Sequence, residues 1–215
     1  MGNILNVLKR NYYIRKIGKN LKDRYLTLWC GGRKPKCHGK IYRKIRGRGN
    51  KLEFGNNCTF DRTTFIMYGS NNRIIFGDNC SVEAHSSFWI VGNNCEIIVG
   101  RGSTFNHTTH FMVEEENARV IVGEDCMFAN TITVRNADSH KIYSMDTGER
   151  LNNPKDIHIG NHVWIAARCM ILKGVKIGEG SVVGANSIVT KDIPQNVIAA
   201  GVPANIVKQN IEWRY

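Results

Sequence analysis

Residues 159–194 read IGNHVW IAARCM ILKGVK IGEGSV VGANSI VTKDIP, six blocks of six. The first position is filled in turn by Ile159, Ile165, Ile171, Ile177, Val183 and Val189, all β-branched. The fifth is filled by Val163, Cys169, Val175, Ser181, Ser187 and Ile193, small or aliphatic. A period of six matches neither the helix period nor plain strand alternation. It fits a short strand that turns a corner and repeats. Three blocks then make one triangular coil, with the first residue pointing inward and the fifth filling the corner. Gly160, Gly178 and Gly184 hold the second position. Glycine takes backbone angles closed to other residues, so the bend is assigned to them. Successive coils stack at the strand spacing of roughly 4.8 Å.

Upstream, the phrase Phe54-Gly55-Asn56-Asn57-Cys58 returns as Phe76-Gly77-Asp78-Asn79-Cys80, Val99-Gly100-Arg101-Gly102-Ser103 and Val122-Gly123-Glu124-Asp125-Cys126. The glycines step by 22, 23 and 23, with asparagines leading each copy at Asn50, Asn72, Asn94 and Asn117. One unit is being stacked, each copy a coil plus a few residues of loop. From Gly123 to Gly160 the step is 37, so one coil carries a long excursion over about 135–154. A long loop on a regular scaffold is usually where function sits.

The 215 residues carry a net charge of +12, unevenly spread. Residues 1–50 hold 15 Lys and Arg against one acid, Asp23. The remainder is close to neutral. Ile14, Ile17, Leu21, Tyr25 and Leu28 recur at helical spacing among Arg10, Arg15, Lys16, Lys19, Lys22 and Arg24. This predicts an amphipathic basic helix. The chain divides into a basic helical segment and linker at 1–49, the repeat domain at 50–208 and a tail at 209–215. Residues 3–48 suit an anionic membrane surface, an acidic polysaccharide or a neighbouring subunit, or simply cap the first coil. No nucleic-acid recognition module accompanies the charge. Seven cysteines, an odd count, argue for reduced thiols rather than a disulfide framework. With no apolar run of spanning length and no signal-peptide h-region, a cytoplasmic location is expected, peripheral at the inner membrane face if the basic segment docks there.

The hexads from Ile159 to Ile193, with Asp192-Ile193-Pro194 and Ala199-Ala200-Gly201-Val202-Pro203-Ala204 behind them, resemble the hexapeptide-repeat acetyltransferases. The basic leader, the Gly-x-x-Asn phrases and the Asn-Ala-Asp-Ser-His loop at 136–140 resemble most the members that O-acetylate capsule or lipopolysaccharide sugars, including polysialic acid. The resemblance covers about 50–208. It implies an all-β fold, a left-handed parallel β-helix. It also implies transfer of acetyl from acetyl-CoA to a glycan hydroxyl, in a homotrimer with the carrier bound between protomers.

Such chemistry needs a base for the hydroxyl proton and a groove for the carrier. Histidine is the side chain that ordinarily exchanges a proton near neutral pH, and His140, in the long loop close after Asp138, matches the histidine that serves the family as base. Asp138 is expected to orient that ring or to contact the sugar. Trp164, at a sixth position, points outward. Two readings stand for it, a wall beside the acetyl group and pantetheine arm, or packing against a neighbouring subunit. Asn130 resembles the family's polar residue near the acceptor hydroxyl, beside a reading as a turn asparagine. By the same resemblance Ala167 and Ala185 offer backbone groups to pantetheine, and Thr190, Lys191 and Lys208 meet the adenine and phosphate end. For the lysines a solvated surface charge is the competing account. Asn205 departs from a frequent basic residue there. Cys58, Cys80 and Cys126 share a fifth position and are expected to stack as small apolar core residues. No metal is expected.

Three other readings stay open. One is N-acetyl transfer to an amino sugar, which the same base serves. Another is a non-catalytic glycan-binding solenoid. The third is a zinc carbonic anhydrase on this fold, which needs three histidines to converge across a subunit boundary; His85, His107 and His110 are the candidates, at a spacing that does not match that family's pattern.

Overall fold

The computed structural model describes residues 35–215, and the expected basic helix lies outside the described residues. Every described strand is short, and together they form three parallel faces wound as a left-handed β-helix. Face one stacks Lys36–His38, Thr59–Asp61, Ser81–Val82, Thr104–Phe105, Met127–Phe128, Trp164–Ile165, Val182–Val183 and Val197–Gly201. An antiparallel strand, Ala204–Gln209, closes its end. Face two runs from Tyr42–Arg46 through Ile132–Arg135 to Ile188–Val189. Face three runs from Lys51–Phe54 to Lys176–Ile177.

The solenoid begins earlier than the boundary at 50. Lys36–His38 pairs with Thr59–Asp61, and Tyr42–Arg46 with Thr64–Tyr68, so part of the expected linker is the first coil. Its basic residues hid the pattern: Lys36, Arg43, Lys44 and Arg46 stand in strands where the later coils carry more apolar side chains. The tail at 209–215 is also not free. Trp213 is buried and lies flat on the His162 ring, with centroids 4.0 Å apart. Trp213 Nε1 donates to His162 O at 2.8 Å, and His162 Nε2 meets Trp213 O at 3.0 Å.

First-position residues face inward as expected, and Ile165, Ile171 and Val183 are fully buried. All eight phenylalanines fill the earlier coils and stack from coil to coil. Phe105 and Phe128 lie 4.6 Å apart, nearly parallel. Aromatic pairs add to their burial roughly 0.5–1.5 kcal/mol each.

The bend, however, is at the fourth position. Three columns of left-handed residues mark the three corners. They contain Asn57, Asn79, Asp125, His162 and Asn196, then His85, Thr108, Thr131, Arg168 and Asn186, then Asn71, Asn94 and Asn117. Asn and Asp tolerate this conformation best after glycine, which explains the recurrent asparagines. Second-position glycines do another job. A Cβ on Gly100 would lie 2.5 Å from Gly123 C, and one on Gly178 2.3 Å from Gln195 N. The next coil's backbone occupies the space of the side chain.

The fifth-position cysteines are buried, but they are donors as well as filler. Cys58, Cys80 and Cys126 Sγ reach the carbonyls of Gly77, Gly100 and Gly160 at 3.0, 3.2 and 3.1 Å. Ser103 Oγ makes the same bond to Gly123 O at 2.9 Å. A thiol or hydroxyl is interchangeable there because the glycine carbonyl needs a partner.

Candidate active site

The long excursion is a hairpin. Lys155 N donates to Asn136 O at 3.0 Å, which closes its base, and Tyr143 and Arg150 form an antiparallel bridge. Asn152, buried to 6% exposure, holds it from within. Its Oδ1 accepts from Ile142 N at 2.7 Å, and its Nδ2 donates to His140 O at 2.7 Å and Asp138 Oδ2 at 2.9 Å. Two ion pairs tie the hairpin to the coils beside its base. Arg150 grips Glu115 bidentately, and Lys173 meets the Asp138 carboxylate. Arg150 holds the Glu115 carboxyl below its usual range, and Lys173 does the same for Asp138.

Asp138 therefore does not orient the His140 ring. Its carboxylate is engaged by Lys173 and Asn152, because the nearest cation draws it back to the coils. His140 is exposed, its backbone fixed by His140 N donating to Asp138 O at 2.7 Å, and its ring makes no hydrogen bond among the described residues. Asn152, Lys173, Arg150 and Glu115 escaped the sequence reading. Their partners stand 10 to 35 residues away with no periodicity to announce them.

The remaining candidates fall on face one and on the two edges of face two. Asn130, Ala167 and Ala185 stack in the corner between faces one and two. Arg168 N donates to Asn130 O, and Asn186 N to Ala167 O, both at 2.9 Å. Ala129, Ala166, Gly184 and Ala200 stack beside them, joined through the same corner ladder. The result is a smooth wall along which a thin chain can approach the backbone. Trp164 stands on face one, 36% exposed, with the Trp213 ring 6.0 Å away. Lys208, exposed, pairs with Ile198, which continues the Trp164–Val182 column. Thr190 and Lys191, also exposed, lie beyond the strand Ile188–Val189, at the opposite edge and on the hairpin's side. The extended run from Asn130 to Asn136 sets these edges roughly 20 Å apart at the strand rise.

Within one copy the other histidines stand apart. His107 Nε2 pairs with Glu83 Oε2 at 3.0 Å, His110 Nδ1 with Ser87 Oγ at 2.7 Å, and His85 turns a corner with φ 64°. Burial pushes the His110 ring below its ordinary value. Among the described residues no three His, Cys, Asp or Glu side chains are grouped to hold a metal. An open groove of about 580 Å³ on face three, around His158, Lys176 and Asp192, contains none of the candidate residues.

Comparison with known proteins agrees with this architecture. The family model "Bacterial transferase hexapeptide (six repeats)" matches residues 156–191. The galactoside O-acetyltransferase of Escherichia coli (strain K12) is 55% identical over 62 residues, 29% of this chain and 30% of that protein. The chain spans about a third of the length of the curated relatives it matches. The crystal structure of the polysialic acid O-acetyltransferase OatWY superposes with a TM-score of 0.72 at 29% identity, covering 85% of this chain and 92% of that one. That of the polySia-specific acetyltransferase NeuO is 31% identical with a TM-score of 0.60, covering 81% of this chain and 89% of that one. With its hexads, its left-handed coils and a relative matched over most of both chains, this protein belongs to the hexapeptide-repeat acetyltransferase family.

Proposed function

We propose that this chain moves acetyl from acetyl-CoA to a hydroxyl of a glycan, a bacterial capsule or lipopolysaccharide sugar, at a site shared between two copies of a homotrimer. The observation that carries the reading is the split of the candidate residues. His140 and the small-residue wall of Asn130, Ala167 and Ala185 stand on opposite edges of one face, roughly 20 Å apart. A second copy brings the hairpin of one chain to the wall of the next. The hairpin suits such a junction, since Ile142, Tyr143, Met145 and Leu151 are all exposed on it and Met145 is 99% exposed. Exposed apolar groups so grouped mark contact surfaces. The relatives named above, which are sugar and polysaccharide O-acetyltransferases, support the reaction class.

The chain's residues then divide the work. The wall presents backbone at Ala167 and Ala185, where small side chains let pantetheine lie close. Thr190, Lys191 and Lys208 supply hydroxyl and positive charge toward the nucleotide end. Trp164 flanks the acetyl group, and Asn130 faces the acceptor hydroxyl. His140 takes the hydroxyl proton as the oxygen attacks the thioester carbonyl, then returns it to the departing thiolate. Acetyl leaves as ester, coenzyme A leaves as thiol, and the base is regenerated. The hairpin pins at Lys173 and Arg150 hold His140 in place, because misplacement by about 1 Å costs on the order of 100-fold in rate.

Lys36, Lys40, Arg43, Lys44, Arg46 and Arg48 surround the first coil with no acid among them. This supports docking on an acidic polysaccharide or an anionic membrane face, with a cytoplasmic location. Among the described residues no helix is long and apolar enough to cross a membrane.

The test is transfer itself. The protein, acetyl-CoA and a panel of acidic and neutral glycans are incubated, and acceptors are weighed for one added acetyl group. His140→Ala should abolish the gain with an unchanged melting curve. Glycan binding without any transfer would identify a non-catalytic solenoid instead, and labelling only of amino sugars would move the reaction to nitrogen.

A further inference from the structure

A second polar cleft lies on face one, away from the hairpin. It encloses about 330 Å³ between His38, Thr59, Asp61, Ser81, Glu83 and His107. Its groups come in pairs. Thr59 Oγ1 donates to Ser81 Oγ at 2.9 Å, His107 Nε2 pairs with Glu83 Oε2 at 3.0 Å, and Asp61, opposite His38 in the strand register, is held by Arg62 Nη2 at 3.0 Å. None of these residues has a role in the reaction described above. Thr59 and Ser81 donate and accept, Asp61 and Glu83 accept, and each imidazole carries a donor. That mixture is what a ring of hydroxyls requires, because each hydroxyl is donor and acceptor at once.

Its position is as informative as its lining. Thr59, Ser81, Thr104, Met127 and Trp164 form one unbroken register column up face one. Ser81 is thus three coils below Trp164, roughly 14 Å along the axis. His107 stands one coil below Asn130 in the corner that continues to Ala167, as Thr131 N bonding to His107 O at 2.9 Å shows. A chain entering between Trp164 and Asn130 and following face one toward the first coil runs into the cleft.

From this juxtaposition we infer that the His38–Asp61–Glu83–His107 cleft is an acceptor subsite, binding an uncharged sugar residue of the glycan some units away from the one acetylated. The inference rests on the function proposed above and adds the class of sugar held there. With Asp61 paired to Arg62 and Glu83 to His107, the lining offers an acidic sugar no unpaired cation, while the carboxylate oxygens suit hydroxyl donors.

The experiment measures acetyl transfer to neutral oligosaccharides of increasing length, and to sialylated ones of the same lengths. The wild type is compared with Glu83→Gln, His107→Ala and the double variant. Both side chains are about half exposed, and a melting curve for each variant shows that it folds. For the wild type, KM for neutral acceptors should fall about tenfold once the chain is long enough to reach the cleft, the worth of one or two hydrogen bonds. The variants should lose that gain while keeping kcat, and keeping KM for the shortest acceptor. Variants that retain the length dependence overturn the subsite, as do variants equally impaired on every length. A gain confined to sialylated acceptors overturns the choice of sugar. Absence of transfer by the wild type to any acceptor refutes the function itself, a result distinct from these.

Discussion

If each site takes its hairpin from one copy and its wall from the next, two dead variants should rescue one another. His140→Ala removes the base, which is worth roughly 100- to 10,000-fold in rate. Trp164→Ala removes the exposed aromatic wall, a loss of roughly 10- to 100-fold if the ring packs on ligand as a buried aromatic anchor does. Within one chain the two elements lie on opposite sides of the Asn130–Asn136 run, roughly 20 Å apart. In a ring of copies assembled at random from equal amounts of both variants, a junction is intact when the Trp164 variant supplies the hairpin and the His140 variant supplies the wall. That holds for about one junction in four. Purification through two affinity tags after co-expression removes the unmixed trimers, and each mixed trimer keeps one intact junction of its three, so the product should show about a third of the wild-type kcat, well above either parent. Doubly tagged protein no more active than the mean of its parents would refute the shared site and place base and wall in one copy.

Other outcomes follow from the coils and the hairpin. Gly100→Asn should melt lower than Gly100→Ala, because the clash with Gly123 grows with side-chain size. Overpacking of this kind costs roughly 1–3 kcal/mol, or about 2–12 °C at this chain length. If the glycine served the bend, Asn would be the milder change. Lys173→Met should lower kcat about 10- to 100-fold through a misplaced His140, with the melting temperature nearly unmoved. Because Lys173 lowers the Asp138 pKa, the pair is complete above the ordinary carboxylate value of about 3.9 and is lost only as the pH falls through the lower folded value. Carboxyl NMR of Asp138 should therefore show no titration between pH 7 and pH 5. Burial pushes the Cys126 thiol up to about 11. Brief alkylation at neutral pH should mark the exposed Cys37 and spare Cys80, Cys95, Cys126 and Cys169, whose thiols are all pushed up, as peptide mass spectrometry would read. Labelling of Cys126 in folded protein would contradict the packing described.

The fold was legible because a solenoid writes its inward positions at a fixed interval, so Ile159 to Val189 announce themselves. Glycine misled, since Gly100 and Gly178 look alike whether they bend or make room, and only the adjoining coil decides. Trp164 could be read as outward from its place in the hexad, but its neighbour Trp213 could not, because the tail follows no period. His140 was legible only through resemblance. Its supports were not, as Asn152, Lys173 and Glu115 meet the hairpin across long stretches of sequence. Histidines off the hairpin, such as His107, gave no sign that they line one cleft.

The hairpin leaves the scaffold and returns to it through a base that one backbone bond closes, while the ladders above and below pass it undisturbed. It is in effect a cassette. Its length and tip can be rewritten around Asp138 and Arg150 without disturbing the stacked coils, so about twenty residues are open to exchange. Transplanting a relative's hairpin between Asn136 and Lys155, with those two residues kept, should leave the melting temperature nearly unmoved.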